Sequence, residues 1–418
     1  MLNQYDVIVV GGGASGLLAA GNSAICGAKT LLIEKMNMCG RKLRITGKGR
    51  CNLTNISTLE EFLEQVEPDR KFLYQVFSQF FSSELISFFE NIGVKTVTER
   101  GKRVFPESNK AQDVVDALVK WVKNSWVQIL NNSKVKNFLI TDNEIKGIST
   151  EQNDYFSKTV IVAAGGCSYS ATGSYGYGYN LAKSAGHTVT DIRPALVPLK
   201  ASNNINKKLQ GLDLRNVSVK LFVQDNEVAQ KFGEMSFIDS GISGPIILTL
   251  SRMAVDAINS GKKVDISVDL KPALDPKKLD NRLLRDFNEN GSGPLLPVLK
   301  KLMPSLLIPV CIESCKLISA KKCNLITSVE RQKLLSWLKD FRININGYAP
   351  FDEAIITAGG INLKEINPKT MESKLVKNLF FAGEILDLNA DTGGYNLQIA
   401  FSTGWVAGKN ASIISKSV

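Results

Sequence analysis

The chain of 418 residues contains a single histidine, His187. Its seven cysteines lack the paired spacings of a zinc site or a disulfide framework, although Cys311, Cys315 and Cys323 cluster. A zinc ion there would need a fourth ligand from elsewhere in the chain, so no metal site is predicted and free thiols are expected. Free thiols are typical of a reducing compartment, and the sequence therefore favours a cytoplasmic location.

Long apolar runs and acidic residues are also scarce. No segment approaches the roughly 20 apolar residues that a membrane-spanning helix needs. The first apolar run leads into a glycine-rich turn, which does not fit a signal peptide. Lys and Arg number 51 against 40 Asp and Glu, a net charge of +11. This balance favours an anionic partner, namely a dinucleotide, a nucleic acid or an acidic metabolite, or reflects only a solvated, lysine-rich surface.

The N-terminal segment carries the most informative pattern. An apolar run at residues 7–10 predicts a buried parallel strand, and Gly11, Gly13 and Gly16 follow at the G-x-G-x-x-G spacing. Gly11 would form the tight turn, Gly13 would admit a pyrophosphate, and Gly16 would let the next helix pack against the strand. The N–H groups at the start of that helix, predicted over 14–26, would point at the phosphates.

A second apolar strand, predicted at residues 30–33, ends in Glu34. A carboxylate at this place would bind the 2′-hydroxyl of a ribose. An arginine there would instead indicate a 2′-phosphate. The motif therefore predicts FAD or NAD rather than NADP.

Residues 35–55 are predicted to form a glycine-rich, basic loop without an acidic residue. Such a segment cannot bury itself without an anion, which a neighbouring diphosphate would supply. An exposed loop that binds nothing is the alternative. The interleaved glycine, threonine and asparagine side chains argue against it, because they allow close backbone approach and amide hydrogen bonds. The basic residues of this segment are Arg41, Lys42, Arg44, Lys48 and Arg50. The interleaved residues are Thr46, Gly47, Gly49, Asn52 and Asn55.

The pattern downstream predicts a dinucleotide-binding domain that is interrupted by an insertion. Alternating runs from Leu199 onward indicate antiparallel strands, and a lysine-rich helical region follows them. Buried strands ending in glycine occur on both sides of this region. The predicted organisation is a first part at 1–198, an insertion at 199–346 (β-rich over about 199–272 and helical over about 273–340), and a second part at 347–418.

Three further features predict cofactor contacts. The start of the last predicted helix, residues 393–398, would present N–H groups to the flavin carbonyl O2 and favour an anionic reduced ring. Tyrosines within 169–179 would stack on a ring or base, or would only pack their own loop. Val135 would touch the adenine through its backbone.

Taken together, these motifs resemble the YhiN/BaiN-like flavoproteins, relatives of the glutathione-reductase-type FAD proteins that include aminoacetone-oxidase-like members. The resemblance implies an α/β fold in which a Rossmann-like FAD-binding domain of glutathione-reductase type is split by an inserted β-barrel-like plus helical domain. The matching segments are 11–16, 40–55, 103–106, 194–198, 241–245, 359–360, 366–373, 381–384 and 392–398.

The glycine motif and the resemblance together predict the residues that contact FAD. No second G-x-G-x-x-G follows a strand, because Gly173, Gly176 and Gly178 have the wrong context. If NAD(P)H is the electron donor, it would therefore visit the flavin only transiently. The predicted FAD-binding residues are Gly11, Gly13, Ala14, Ser15, Gly16, Glu34, Lys35, Gly40, Arg41, Lys42, Thr46, Gly47, Gly49, Asn52, Val135, Ala164, Gly165, Gly383, Glu384, Asp387, Gly394, Asn396 and Leu397.

The resemblance leaves the substrate open. Family members are linked to reduction of a uracil C=C to dihydrouridine in large-subunit ribosomal RNA, to reduction of unsaturated bile-acid-type ketones, and to oxidation of aminoacetone. Uridine in 23S ribosomal RNA is the favoured substrate, because basic residues are enriched in the insertion and RNA binding begins with such a footprint. These are Lys277, Lys278, Arg282, Arg285, Lys300, Lys301, Lys321 and Lys322.

Two alternatives stay open at this point: a small-molecule oxidoreductase whose surface charge is incidental, and a non-enzymatic flavin redox sensor. Reduction of a C=C also needs an acid to protonate the second carbon. The candidates are Cys51, Tyr175 and Asp387, and a buried structural thiol is the competing interpretation of Cys51. The oligomeric state is not predicted.

Overall fold

The computed structural model describes residues 4–201 and 205–417. The chain divides into two compact units. The first comprises Met1–Pro194 together with Ala354–Val418, and the second is Ala195–Glu353. The predicted insertion, 199–346, falls within the second unit.

The first unit is built on a seven-stranded sheet. Gln4–Val10 lies between Thr30–Ile33 and Asp154–Val162 and runs parallel to both. Gln128–Leu130 extends the parallel sheet beyond Thr30–Ile33. These central strands are almost wholly buried, which is typical of a parallel sheet covered on both faces.

The strand Asp154–Val162 changes partner along its length. Its first part pairs antiparallel with Glu144–Thr150, which in turn pairs with Val135–Thr141. Its last part pairs in parallel with Leu379–Phe381 from the C-terminal segment. Val135–Thr141 and Glu144–Thr150 therefore belong to the main sheet, because the long strand Asp154–Val162 joins them to the parallel strands.

Helices cover the sheet, and two of them approach each other closely. Ala14–Ile25 packs on Tyr395–Lys416 through Gly404 and Gly408, where a Cβ would lie 2.2 Å from the Ser15 carbonyl oxygen and 2.4 Å from that of Ala19. Phe62, Phe77, Phe80 and Phe89 are buried in the core of this unit. The other helices of this unit are Arg41–Gly49, Leu59–Leu63, Phe72–Phe77, Ser82–Asn91, Ala111–Asn124 and Tyr177–Ser184.

Short strands complete the first unit. Thr96–Glu99 and Arg103–Pro106 form a hairpin, and Thr54–Asn55 adds a third strand to it. The remaining short strands are Val66–Glu67, Ile356–Ala358 and Asn389–Ala390, with Arg193–Ala195 at the boundary between the units.

The second unit contains a closed antiparallel barrel, as the resemblance implied. The strand order is Leu199–Ala201, Gly241–Ser243, Asn226–Ile238, Asp213–Val223, Val264–Asp269 and Phe341–Tyr348, and the last strand pairs with the first. Its interior holds alternate residues such as Val219, Leu221 and Ile266.

Six helices accompany the barrel in the described part of the second unit. Pro245–Asn259 starts with proline at its first position, where the missing N–H costs no hydrogen bond. Gly244, its N-cap, has φ +98, and a Cβ there would lie 2.8 Å from Met235 Cα. The other helices are Ile205–Leu209, Pro276–Asn290, Leu296–Leu302, Leu307–Cys315 and Ser328–Lys339.

Candidate functional site

The glycine turn after the first strand has the geometry that a phosphate-binding turn requires. Gly11 has φ +107, and a Cβ there would lie 2.4 Å from the Ala163 carbonyl oxygen. At Gly16 a Cβ would lie 1.8 Å from the Gly11 carbonyl oxygen. At Gly13 a Cβ would meet nothing within 4 Å. Two glycines therefore allow internal packing, whereas Gly13 faces open space at the start of the helix, where a pyrophosphate would approach.

The residues after Gly13 connect the turn to the C-terminal segment. Ala14 begins the helix, and Ser15 is buried with its hydroxyl 3.5 Å from the Ala382 carbonyl oxygen. Gly383 has φ +80, and a Cβ there would lie 2.3 Å from Ser15 Oγ. The side chain of Ser15 thus packs the fold, and its backbone N–H is the group that can face a ligand.

Both carboxylate oxygens of Glu34 accept backbone hydrogen bonds. Gly12 N–H donates to Oε2 at 2.7 Å, and Met36 N–H donates to Oε1 at 2.8 Å. These bonds fix the carboxylate beside the glycine turn, and each oxygen keeps a lone pair for a ribose hydroxyl. Val135 is buried and paired with Thr150 at the sheet edge, so only its backbone is available to a ligand.

Lys35 carries a buried ammonium group. Its Nζ has no hydrogen-bond partner within the described residues and lies 3.7 Å and 3.9 Å from the ring centroids of Tyr175 and Tyr177. Burial lowers the pKa of Lys35 to about 8, although the Glu34 carboxylate opposes this shift. Burial and the Glu34 carboxylate also raise the pKa of Tyr177.

The basic segment is partly helical, which corrects the prediction of a loop at residues 35–55. Arg41–Gly49 forms a helix that is interrupted at Thr46, Gly47 and Lys48. Gly40, with φ +74, precedes it and donates its N–H to the Gly12 carbonyl oxygen at 2.8 Å. The helix begins against the glycine turn, so its first residues still lie near the predicted phosphate site.

Most of the side chains in this segment have partners inside the protein. The Arg41 guanidinium donates to Asn37 Oδ1 and to the Ala171 carbonyl oxygen, and the Thr46 hydroxyl donates to the Leu43 carbonyl oxygen. Arg50 pairs with Glu99. The predicted need for an anion is therefore met in part by contacts within the chain.

Lys42 and Glu384 form an ion pair that the sequence did not predict. Lys42 Nζ lies 2.6 Å from Glu384 Oε2, and each side chain is about one-fifth exposed. Glu384 Oε1 accepts from the Ser168 hydroxyl at 2.8 Å and from Thr357 N–H at 2.9 Å. Burial opposes ionisation of Glu384, but the charge of Lys42 and these hydrogen bonds lower its pKa below the ordinary value. Ser168 and Thr357 hold the Glu384 carboxylate, although no pattern in the sequence marked either residue.

The N-terminus of the last helix has an unoccupied acceptor beside it. Gly394 has φ +100, and a Cβ there would lie 2.4 Å from the Thr54 carbonyl oxygen and 2.9 Å from Asn52 Oδ1. Asn52 Oδ1 is buried without a hydrogen-bond partner among the described residues. The side-chain amide of Asn396, in contrast, already has partners: it accepts from the Ala390 N–H and donates to the Ala390 carbonyl oxygen. Asn52 is therefore suited to a ligand N–H, and Asn396 shapes the turn.

The remaining predicted contacts are backbone positions near these groups. Gly49, with φ +82, has open space at its Cβ position, whereas a Cβ at Gly47 would lie 3.2 Å from the Asn52 amide nitrogen. Gly165 has φ +74, with Ser174 Oγ 3.2 Å from its Cβ position. Ala164 and Leu397 are partly buried against the core of this unit.

The three candidate acids differ in environment. Cys51 is fully buried, and burial raises its pKa to about 12, so it is placed as a structural thiol. Tyr175 is half exposed and lies over Lys35. Asp387 is partly buried and accepts a hydrogen bond from the Thr190 hydroxyl at 2.9 Å. Burial raises the pKa of Asp387 above its ordinary value.

The described residues contain no group of three or more His, Cys, Asp or Glu side chains that could hold a metal ion. His187 is buried between Glu365 Oε2 at 3.0 Å and Ser373 Oγ at 2.8 Å, which assigns it to the packing of the first unit. In the part of the chain that the structure describes, no helix is both long and apolar enough to span a membrane.

The geometry fits FAD at this site. Gly13 would leave room for the pyrophosphate to approach, and Glu34 would present a fixed carboxylate to a ribose. The orphaned Lys35 Nζ and Asn52 Oδ1 are buried polar atoms that a bound ligand would satisfy. Fold and site define the chain as an FAD-dependent oxidoreductase.

The chain matches the HI0933-like protein Rossmann domain over residues 5–410 and belongs to that family. This confirms the resemblance to the YhiN/BaiN-like flavoproteins. The chain is 30% identical over 408 residues, 97% of this chain and 98% of the relative, to the 3-dehydro-bile acid delta(4,6)-reductase of Clostridium scindens. It is 27% identical over 413 residues, 98% of each chain, to the ribosomal RNA dihydrouridine synthase of Escherichia coli.

Among solved structures, the 3-ketosteroid delta1-dehydrogenase of Sterolibacterium denitrificans is similar over 100% of both chains, with a TM-score of 0.55 and 13% identity. At this identity the likeness shows the fold alone.

Proposed function

We propose that the protein reduces a C=C bond conjugated to a carbonyl group, and that its substrate is uridine in 23S ribosomal RNA. FAD bound at this site and reduced by NAD(P)H would supply a hydride for the carbon β to the carbonyl, which is C6 of uracil. A proton is then needed at C5, and the product is dihydrouridine. The chain's own residues bind the RNA, hold the base and deliver this proton.

The net positive charge of the second unit is the observation that favours RNA as the substrate. Residues 195–353 contain 23 Lys and Arg against 17 Asp and Glu, a net charge of +6 out of +11 for the chain. RNA phosphates attract such a surface and release counterions when they bind it. A sterol-sized substrate has no row of phosphates and would gain no comparable binding energy from this surface charge.

Half of the predicted basic footprint is free to contact phosphates. Lys278, Arg282, Arg285 and Lys321 pair with carboxylates of their own unit. The other four are exposed and have no ion-pair partner among the residues the structure describes: Lys277, Lys300, Lys301 and Lys322. The adjacent Lys300 and Lys301 offer the densest free charge.

Asp387 is the acid we assign to the proton transfer. Its raised pKa favours the protonated form that a donor needs. The Thr190 hydroxyl donates to Oδ2 and orients the carboxyl group. Burial outweighs the nearby Arg193 charge and the Gly359 N–H, both of which lower the pKa of Asp387. Cys51, which has no exposed surface, cannot reach a substrate, and the ring of Tyr175 is engaged by Lys35.

RNA binding tests this proposal. The affinity of the holoenzyme for a 23S ribosomal RNA fragment should fall steeply as salt rises, with a log–log slope equal to about 0.7 for each phosphate contact. The double variant Lys300→Glu/Lys301→Glu should weaken binding and flatten the slope. Lys120→Glu/Lys409→Glu, which makes the same charge change on helices of the first unit, is the matched control. A flat salt response of the wild type would contradict the RNA assignment.

Reduction of a small enone is the second candidate. It is favoured by the similarity to the bile-acid reductase along nearly the whole chain. The chemistry is the same, because both substrates have a C=C conjugated to a carbonyl. Turnover of a steroid dienone at a rate that exceeds RNA reduction, and that the Lys300→Glu/Lys301→Glu change leaves intact, would support this second function.

A further inference from the structure

Tyr175 and Tyr177 come from a turn that lies over the residue following Glu34. The turn depends on Gly176, which has φ +78 and whose Cβ position lies 2.6 Å from Cys167 Sγ. Gly176 N–H donates to the Gly166 carbonyl oxygen at 3.1 Å. This bond ties the turn to the segment that follows the strand Asp154–Val162.

This turn contacts Lys35 through cation–π interactions between the ammonium group and the faces of the two tyrosine rings. The buried Lys35 ammonium lies within 4 Å of both ring centroids, and Lys134 Nζ lies 5.5 Å and 5.9 Å from the same two rings. Cation–π attraction of this kind is strongest where the cation is shielded from water. Lys35 Nζ also keeps its hydrogen-bond donors free of partners in the described residues.

We propose that Lys35, Tyr175 and Tyr177 form a strap across the adenosine end of the FAD site and slow the release of FAD. The proposal rests on FAD being the cofactor. Glu34 marks the ribose position and Val135, next to Lys134, the predicted adenine contact, so the strap lies beside both. Lys35 Nζ would donate a hydrogen bond to the adenosine moiety of bound FAD, and the two rings hold its charge in place. Tyr175 is in this view a positioning residue and not a proton donor.

The test is the rate at which FAD leaves the purified holoenzyme. Protein-bound FAD is measured by absorbance after rapid gel filtration at timed intervals following dilution. Lys35→Met keeps the length of the side chain but removes its charge and donors, and should raise the release rate about tenfold. Tyr175→Ala should raise it to a similar extent, whereas Tyr175→Phe, which keeps the aromatic face, should stay within about twofold of the wild type.

Lys29→Met is the matched control. Lys29 precedes the strand Thr30–Ile33 and lies over the ring of Tyr5 at 4.9 Å, so the variant removes a similar contact at the opposite end of the same strand. It should leave the release rate unchanged. A rate for Lys35→Met within twofold of the wild type, or equal rates for Tyr175→Phe and Tyr175→Ala, would overturn the strap.

Two further results separate the strap from the function it rests on. Because Tyr175 is half exposed, its variants test the strap even where Lys35→Met fails to fold. A wild type that retains FAD but reduces no uridine contradicts the proposed function and leaves the release rates as a valid test. A wild type purified under native conditions that binds no FAD overturns both.

Discussion

Lys42 Nζ lies 2.6 Å from Glu384 Oε2 and joins two segments that are 342 residues apart in the sequence. The pair connects the start of the basic helix to the C-terminal segment of the first unit. Ser168 and Thr357 bind the second carboxylate oxygen, so the charge of Glu384 is neutralised from several sides.

Removing the cation of this pair should be costly. Lys42→Met leaves the Glu384 carboxylate largely buried without its counter-charge, and should lower the free energy of unfolding by about 3 kcal/mol. Urea denaturation of the apoprotein measures this change. Lys102→Met, which breaks an ion pair with Glu61 whose side chains are half exposed, is the control and should cost less than about 1 kcal/mol. Equal losses in the two variants would contradict a structural role for the Lys42–Glu384 pair.

Gly13→Ala and Gly16→Ala should separate cofactor binding from folding. Gly13 has φ −82, and its Cβ position is open, so Ala should fold with a stability within about 1 kcal/mol of the wild type but should bind FAD much more weakly. Gly16→Ala should destabilise the apoprotein by about 3 kcal/mol, because its Cβ would collide with the Gly11 carbonyl oxygen. Titration with FAD and thermal unfolding measure the two effects. A Gly13→Ala protein that binds FAD normally would refute the open approach at this position.

The kinetics of Asp387→Asn should identify the proton donor. The variant keeps the size of the side chain but cannot donate the same proton, so the rate of substrate reduction should fall about 100-fold with FAD still bound. Flavin reduction by the electron donor should be unaffected. Cys51→Ala should retain the pH profile of the wild type, because its thiol is buried. If Cys51→Ala folded normally but reduced the substrate 100-fold more slowly, Cys51 and not Asp387 would be the proton donor.

FAD release should accelerate as pH rises through about 8. Burial lowers the pKa of Lys35 to about 8, so the ammonium that the strap needs is present below this pH and is lost above it. Glu34, Lys134, Tyr175 and Tyr177 are the charged or titratable groups that face Lys35. Release rates measured between pH 6.5 and about 9.5 should rise in the wild type and stay level in Lys35→Met. If the release rate rose with pH to the same extent in both proteins, a group other than Lys35 would cause the pH dependence.

The sequence predicted the parts of the fold that local patterns determine. The glycine turn, the strand ending at Glu34 and the last helix follow from apolar runs and glycine spacing. The strand Asn226–Ile238 was missed because most of its residues are exposed and do not alternate, so only its pairing with Asp213–Val223 reveals it. Phe341–Tyr348 closes the barrel by pairing with Leu199–Ala201, a contact between distant segments that periodicity does not report.

The site was predictable to a similar degree. Gly13 and Glu34 follow from a motif with a known geometry. The pairing of Lys42 with Glu384 could not be predicted, because each residue on its own had the pattern of a cofactor contact. The engagement of Lys35 by Tyr177 also depends on tertiary structure, although the tyrosine-rich segment was a signal that an aromatic contact would form there.

Dihydrouridine in 23S ribosomal RNA is the most direct measurement of the proposed activity. Nucleoside mass spectrometry would compare cells with the gene, cells without it, and deleted cells that express the wild type or the Gly13→Ala variant. The modification should disappear on deletion, return with the wild type and stay absent with Gly13→Ala. An unchanged level of dihydrouridine in the deleted cells would contradict the assignment of uridine as the substrate.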